Sequence, residues 1–95
     1  MVLLKGDGEN MNIINVWKNI KKYSGEEFYT KTGIPYSYTV KGSQVMLQNT
    51  NRNIPYSDFE KAVNLSNISI SKLNELGVQG PSYIYGIITD ERIKK

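Results

Sequence analysis

The segment Tyr36–Leu47 constrains the fold more than any other, because two independent signals in it agree on one register. Tyr36, Tyr38 and Val40 alternate with Ser37, Thr39 and Lys41, the period of a strand with one buried face. Gly42-Ser43 follows, with glycine in the first central position, as a two-residue type II′ hairpin turn prefers. That turn pairs Lys41 with Gln44, Val40 with Val45, Thr39 with Met46 and Tyr38 with Leu47. Tyr38, Val40, Val45 and Leu47 then share one face, and a slip of one residue would scatter them. A hairpin over 36–48 is therefore expected at the centre of a small antiparallel sheet. A short strand over Phe28–Thr30 precedes it. The polar loop Asn49–Asn53 follows and leads into another short strand through Ile54.

Helices flank this sheet. From Met11 to Tyr23, the residues Ile13, Val16, Trp17, Ile20 and Tyr23 form one apolar stripe at helical spacing. Lys21 and Lys22 fall in its last turn, where the helix dipole favours cations, and Gly25 suits the turn beyond. Ser57-Asp58-Phe59-Glu60 has the S-x-x-E spacing of a capping box, opening a helix with Phe59, Ala62 and Val63 inward. Ser66–Leu76 supports two readings: Ile68 and Ile70 alternate like a strand, and Leu73 and Leu76 are spaced like a helix. Gly77 and Gly80 break the segment. Pro81 opens a last helix, with Ser82 as its cap and Tyr83, Ile84, Ile87 and Ile88 inward to about Asp90. Ile93 packs back, and Lys94 and Lys95 fray. The expected fold class is α+β: an N-terminal amphipathic helix, a small antiparallel sheet, and two or three short C-terminal helices. These form one domain over 11–95. Residues 1–10 read as a flexible leader, with Met11 as an alternative start.

Composition excludes more than it assigns. The chain of 95 residues contains no cysteine and no histidine, which removes disulfides, thiol nucleophiles, Ser-His-Asp machinery and Cys/His zinc sites. Glu26 and Glu27 are adjacent, so on a strand they point apart and cannot act as a paired acid and base. No Asp-rich loop offers a calcium site. No catalytic residue, metal or cofactor is therefore expected, and the chain reads as a non-enzyme. No stretch has the apolar length of a secretion signal or a membrane span, so a cytoplasmic location without membrane contact is the default expectation. Ile, Asn and Lys dominate at 11, 10 and 10, and alanine occurs once, the skew an AT-rich coding sequence would produce.

Four short patterns resemble a known group. Phe28-x-Thr30-x-x-Gly33-x-x-Tyr36-x-Tyr38, Ser57-Asp58-Phe59-Glu60-Lys61-Ala62, Gly80-Pro81-Ser82-Tyr83-Ile84 and Asp90-x-Arg92-Ile93 together span about residues 26–93. They resemble a small bacterial domain family with no settled activity. The resemblance implies a recurring module and transfers no functional residue.

Binding residues follow from charge and aromatic content. Twelve Lys plus Arg against nine Asp plus Glu leave a net charge of +3, a mild lean toward anionic partners. Tyr29, Tyr36, Tyr38, Tyr56, Tyr83 and Tyr85 are interleaved with Lys31, Lys41 and Arg52, as in surfaces where bases stack on rings and cations track phosphates. The plainer reading is that these tyrosines fill half-buried core faces with their hydroxyls at the rim. The hairpin register assigns Tyr38 to the core, while Tyr29 and Tyr85 are expected to be exposed. Lys18, Lys21 and Lys22, with Asn15 and Asn19, line the polar face of the first helix, either as a phosphate-contacting stripe or simply as a solvated face. Thr30-Lys31-Thr32-Gly33 and Gly80-Pro81-Ser82 are further sites where an anion fits. Two arginines are few for guanine readout, so backbone contact is favoured over base-specific reading. The expected nucleic-acid-binding set is Lys18, Lys21, Lys22, Lys31, Lys41, Arg52, Tyr29 and Asn51. The alternative partner is a protein, the chain serving as an adaptor or inhibitor from a mobile element with a tyrosine patch at its interface. A homodimer burying that patch is a third arrangement, and oligomeric state is open.

Overall fold

The computed structural model describes residues 12–94. The expected leader, the Met11 start and Lys95 lie outside the described residues. Helix α1 spans Ile13–Lys22, and the Asn12 side chain caps it by accepting the Ile14 N–H at 2.8 Å. Val16 and Ile20 are buried, with Ile13, Trp17 and Tyr23 packed along the margin of the core. The apolar stripe is thus the face the helix buries.

Four strands follow: β1 Glu27–Tyr29, β2 Pro35–Lys41, β3 Gln44–Leu47 and β4 Asn53–Pro55. They form an antiparallel meander in sequence order. Lys41 pairs with Gln44, Val40 with Val45, Thr39 with Met46 and Tyr38 with Leu47, the register the turn and the alternation require. Gly42 has φ +62°, and among the described residues no non-glycine has positive φ, as a turn with glycine first demands. The first strand sits one residue earlier than expected. Thr30 leaves it for the turn, where its hydroxyl accepts the Ile34 N–H at 3.0 Å.

The sheet has two unlike faces. Phe28, Tyr36, Tyr38, Val45, Leu47 and Ile54 are buried on one, while Glu27, Tyr29, Pro35, Thr39, Lys41, Gln44 and Asn53 are exposed on the other. Helix α2, Tyr56–Val63, follows β4 directly, so Pro55 supplies the extended N-cap position. Ser57 is therefore the second helical residue and caps nothing, which corrects the capping-box reading. Helix α3 spans Ile70–Leu76, with the Ser69 hydroxyl accepting the Lys72 N–H at 3.2 Å. That cap and the burial of Leu73 settle Ser66–Leu76 as loop and helix, and Ile68 packs on the core from the loop.

Helix α4 spans Pro81–Ile88 behind Gly80, and Ser82 is an exposed first-turn residue rather than its cap. One further turn, α5 at Glu91–Lys94, folds Ile93 into the core. Lys94 closes this turn, with its ammonium 3.3 Å from Glu91. The described residues therefore contain four short C-terminal helices where two or three are expected, because the ambiguous segment and the last turn both become helical.

The α+β core is one cluster of buried side chains drawn from every strand and from all five helices. Fully burying one such side chain contributes about 1.5–3 kcal/mol. Tyr38 is wholly buried and its hydroxyl donates to the Ile20 carbonyl at 2.8 Å, joining β2 to α1 without leaving a polar atom unpaired. No helix among the described residues is long and apolar enough to cross a membrane.

Candidate nucleic-acid interface

The meander decides which of the candidate residues meet. Its 42–43 turn lies at one end of the sheet, and the 30–34 and 48–52 loops lie at the other. Lys41 is exposed beside the turn, away from the two loops. Lys18, Lys21 and Lys22 are exposed on α1, the Lys22 ammonium lying 5.5 Å from the Tyr23 ring. Asn19 belongs to the fold instead, since its amide donates to the Ile93 carbonyl at 3.0 Å and ties α1 to α5.

The tyrosines divide the same way. Tyr36 and Tyr38 are buried, and burial pushes both hydroxyls well above the ordinary tyrosine pKa. Tyr56 meets Trp17 edge-on at 5.1 Å. Tyr85, expected to be exposed, is half-buried on α4, with the Lys31 ammonium 5.5 Å from its ring. Tyr29 is 53% exposed on the open sheet face. Its hydroxyl donates to Glu27 at 2.8 Å, and that bond, with the carboxylate charge, raises its pKa. A phosphate approaching Tyr29 would meet the carboxylate of Glu27.

Lys31, Asn51 and Arg52 do come together, on either side of the start of α4. One cleft, of about 580 Å³, is lined by Thr50, Asn51, Arg52, Asn53, Gln79 and Tyr83. A second, of about 210 Å³, is lined by Thr30, Lys31, Thr32 and Ser82 together with Ile34, Ile70 and Tyr83. Tyr83 lines both, so the two clefts adjoin at its side chain and together make up the groove. No carboxylate lines either cleft. Neither Arg52 nor Lys31 is in an ion pair among the described residues.

The groove is built by backbone-directed bonds. Thr30 N–H donates to the Ile34 carbonyl at 3.0 Å and Gly33 takes φ +90°, which closes the Lys31 loop. The Thr30 hydroxyl is committed to that closure and also lies 3.2 Å from the Thr32 hydroxyl, while Lys31 and Thr32 are exposed. The Arg52 N–H donates to the Thr50 hydroxyl at 2.8 Å and its guanidinium to Gln79 Oε1 at 3.2 Å. Arg52 Cδ also lies over Gly80, 3.1 Å from where a Cβ would stand. Beneath them Asp58, in the first turn of α2, is buried and accepts the Gln79 N–H at 2.8 Å. It holds the turn into α4, which no local pattern around Asp58 announces.

Tyr83 reads from sequence as a core residue, yet it is half-buried and central to the groove. Its ring stands edge-on to Tyr36 at 4.9 Å, its carbonyl accepts the Tyr36 hydroxyl, and Asn49 donates to its own hydroxyl at 3.4 Å. Among the described residues no group of three or more acidic side chains gathers as a metal site would need. The chain matches no protein-family model, no curated protein and no solved structure.

Proposed function

We propose that the protein is a non-catalytic binding module that contacts nucleic-acid backbone in the groove around Tyr83. The observation that carries this reading is the lining: Arg52, Lys31, hydroxyls and side-chain amides line the two clefts that share Tyr83, with no carboxylate among them. Phosphates bind where cations and neutral donors converge, and a flanking carboxylate would oppose them. The α4 N-terminus opens at the same place and adds a positive dipole end. Lys18, Lys21 and Lys22 form a separate basic surface on α1, and Lys41 a third point of charge. A protein partner has weaker support. Among the described residues the large apolar side chains that are exposed, Ile14, Tyr29, Ile34 and Leu76, are spread over α1, β1, the first sheet loop and α3.

Fluorescence anisotropy with duplex DNA, single-stranded DNA and RNA across a salt series tests the proposal. Binding that weakens steeply with salt is expected, with a slope near 0.9 per phosphate for duplex or 0.7 for a single strand. The double reversal Lys31→Glu/Arg52→Glu should cost tenfold or more and flatten the slope. The triple reversal Lys18→Glu/Lys21→Glu/Lys22→Glu should cost less. Absence of salt-sensitive binding, or loss only in the α1 variant, overturns the assignment to this groove.

A further inference from the structure

Resting on the reading above, we infer that the groove takes an unpaired strand, with one base stacked on Tyr83 and the flanking phosphates on Arg52 and Lys31. Stacking is the first reason. The two clefts adjoin at the Tyr83 side chain, whereas the bases of a duplex are already stacked on one another. Only an unpaired base has a face free to reach the tyrosine.

Rigidity is the second. The T-shaped contact with Tyr36 and the Asn49 bond to its hydroxyl restrain the ring, and the Tyr36 hydroxyl holds the Tyr83 carbonyl behind it. A base stacking on it therefore meets a ring already restrained. The third reason is the amides. Asn51, Asn53 and Gln79 line the same cleft as Arg52, and amide side chains match the donor and acceptor pairs of base edges. Base pairing occupies the Watson–Crick edges in a duplex, whereas a single strand leaves those edges open to the amides as well. Arg52 and Lys31 line opposite halves of the groove, so a strand passing Tyr83 would meet one cation on each side.

The test compares a ten-nucleotide oligothymidylate, a single-stranded RNA of equal length and a blunt duplex of ten base pairs at one salt concentration. Single strands are expected to bind at least tenfold more tightly than the duplex. Tyr83→Ala should weaken single-strand binding on the order of tenfold, as loss of one base–aromatic stack does, and so narrow the preference for single strands over the duplex. Tyr83→Phe should retain most of the affinity. Because Tyr83 abuts the core, a variant-free readout is added: a 5-bromouracil strand irradiated on the wild-type protein should crosslink at Tyr83, mapped by mass spectrometry. Equal or tighter duplex binding, a folded Tyr83→Ala that keeps single-strand affinity, or a crosslink mapped elsewhere overturns the inference. Salt-sensitive binding without strand preference would sink this inference alone. No binding to any of the three would sink the nucleic-acid reading beneath it.

Discussion

The Arg92 guanidinium lies 4.0 Å from the centre of the Phe28 ring, joining the last helical turn to the first strand. Its Nε donates to Asp90 Oδ1 at 2.9 Å, and its Nη2 donates to Asp90 Oδ2 at 3.0 Å and to the Glu27 carbonyl at 2.9 Å. One side chain thus fixes α5 against β1 by a planar fork and a stacked face. Lysine has neither. Arg92→Ala should cost about 2 kcal/mol of stability, and Arg92→Lys should recover less than half of that. Urea unfolding with an unchanged m-value would establish both.

The same pair sets a pH dependence. The Arg92 hydrogen bond holds the Asp90 carboxyl below the ordinary aspartate pKa against an opposing effect of burial. A carboxyl whose pKa is depressed on folding stabilises above its unfolded value, near 4, and loses that contribution as pH falls through the lower folded value. The wild-type urea midpoint should therefore drop below about pH 4 more steeply than that of Asp90→Asn. Parallel curves for the two proteins would refute the linkage.

Gly86 lies inside α4, where alanine ordinarily stabilises a helix by about 1 kcal/mol. Here the sign should invert. A Cβ would stand 2.5 Å from the Tyr29 carbonyl and 2.6 Å from the Tyr36 hydroxyl, so strand and helix must part to admit it. Gly86→Ala should destabilise by about 1–3 kcal/mol, visible as a lower melting temperature.

Asp58 couples stability to the groove. Asp58→Ala leaves the Gln79 N–H without its acceptor and should cost about 1–3 kcal/mol. Asp58→Asn keeps an oxygen there and should cost less. Because Gln79 also holds the Arg52 guanidinium, Asp58→Ala should weaken binding in the proposed groove although no groove charge changes. Titration of the folded variant well below its melting temperature reads that effect.

Legibility followed the range of the interaction. The 36–48 hairpin was readable because its turn and its alternation each imply the register, and both act within a dozen residues. The α1 stripe and the start of α4 at Pro81 were readable for the same local reason. The capping box failed because β4 runs straight into α2 and gives Pro55 the cap position. Spacing alone does not say where the preceding strand stops. The Lys31, Asn51 and Arg52 candidates could be named from residue type, but not grouped.

The sequence by itself determined the α+β class, the hairpin register, the inward faces of α1 and α4, and the absence of cysteine and histidine chemistry. Those properties follow from periodicity, turn residues and inventory, which are local or additive. Tertiary structure alone decided that Lys31 and Arg52 share a groove while Lys41 lies at the opposite end of the sheet. It also decided that Tyr83 stands between the two clefts and that Asp58 braces Gln79. These depend on the strand order and on which loop ends pack beside α4. They arise from contacts between distant segments, from Asp58 and Gln79, 21 positions apart, to Thr30 and Tyr83, 53 apart. No local pattern encodes such contacts, because burying the common core selects them only once every element is in place.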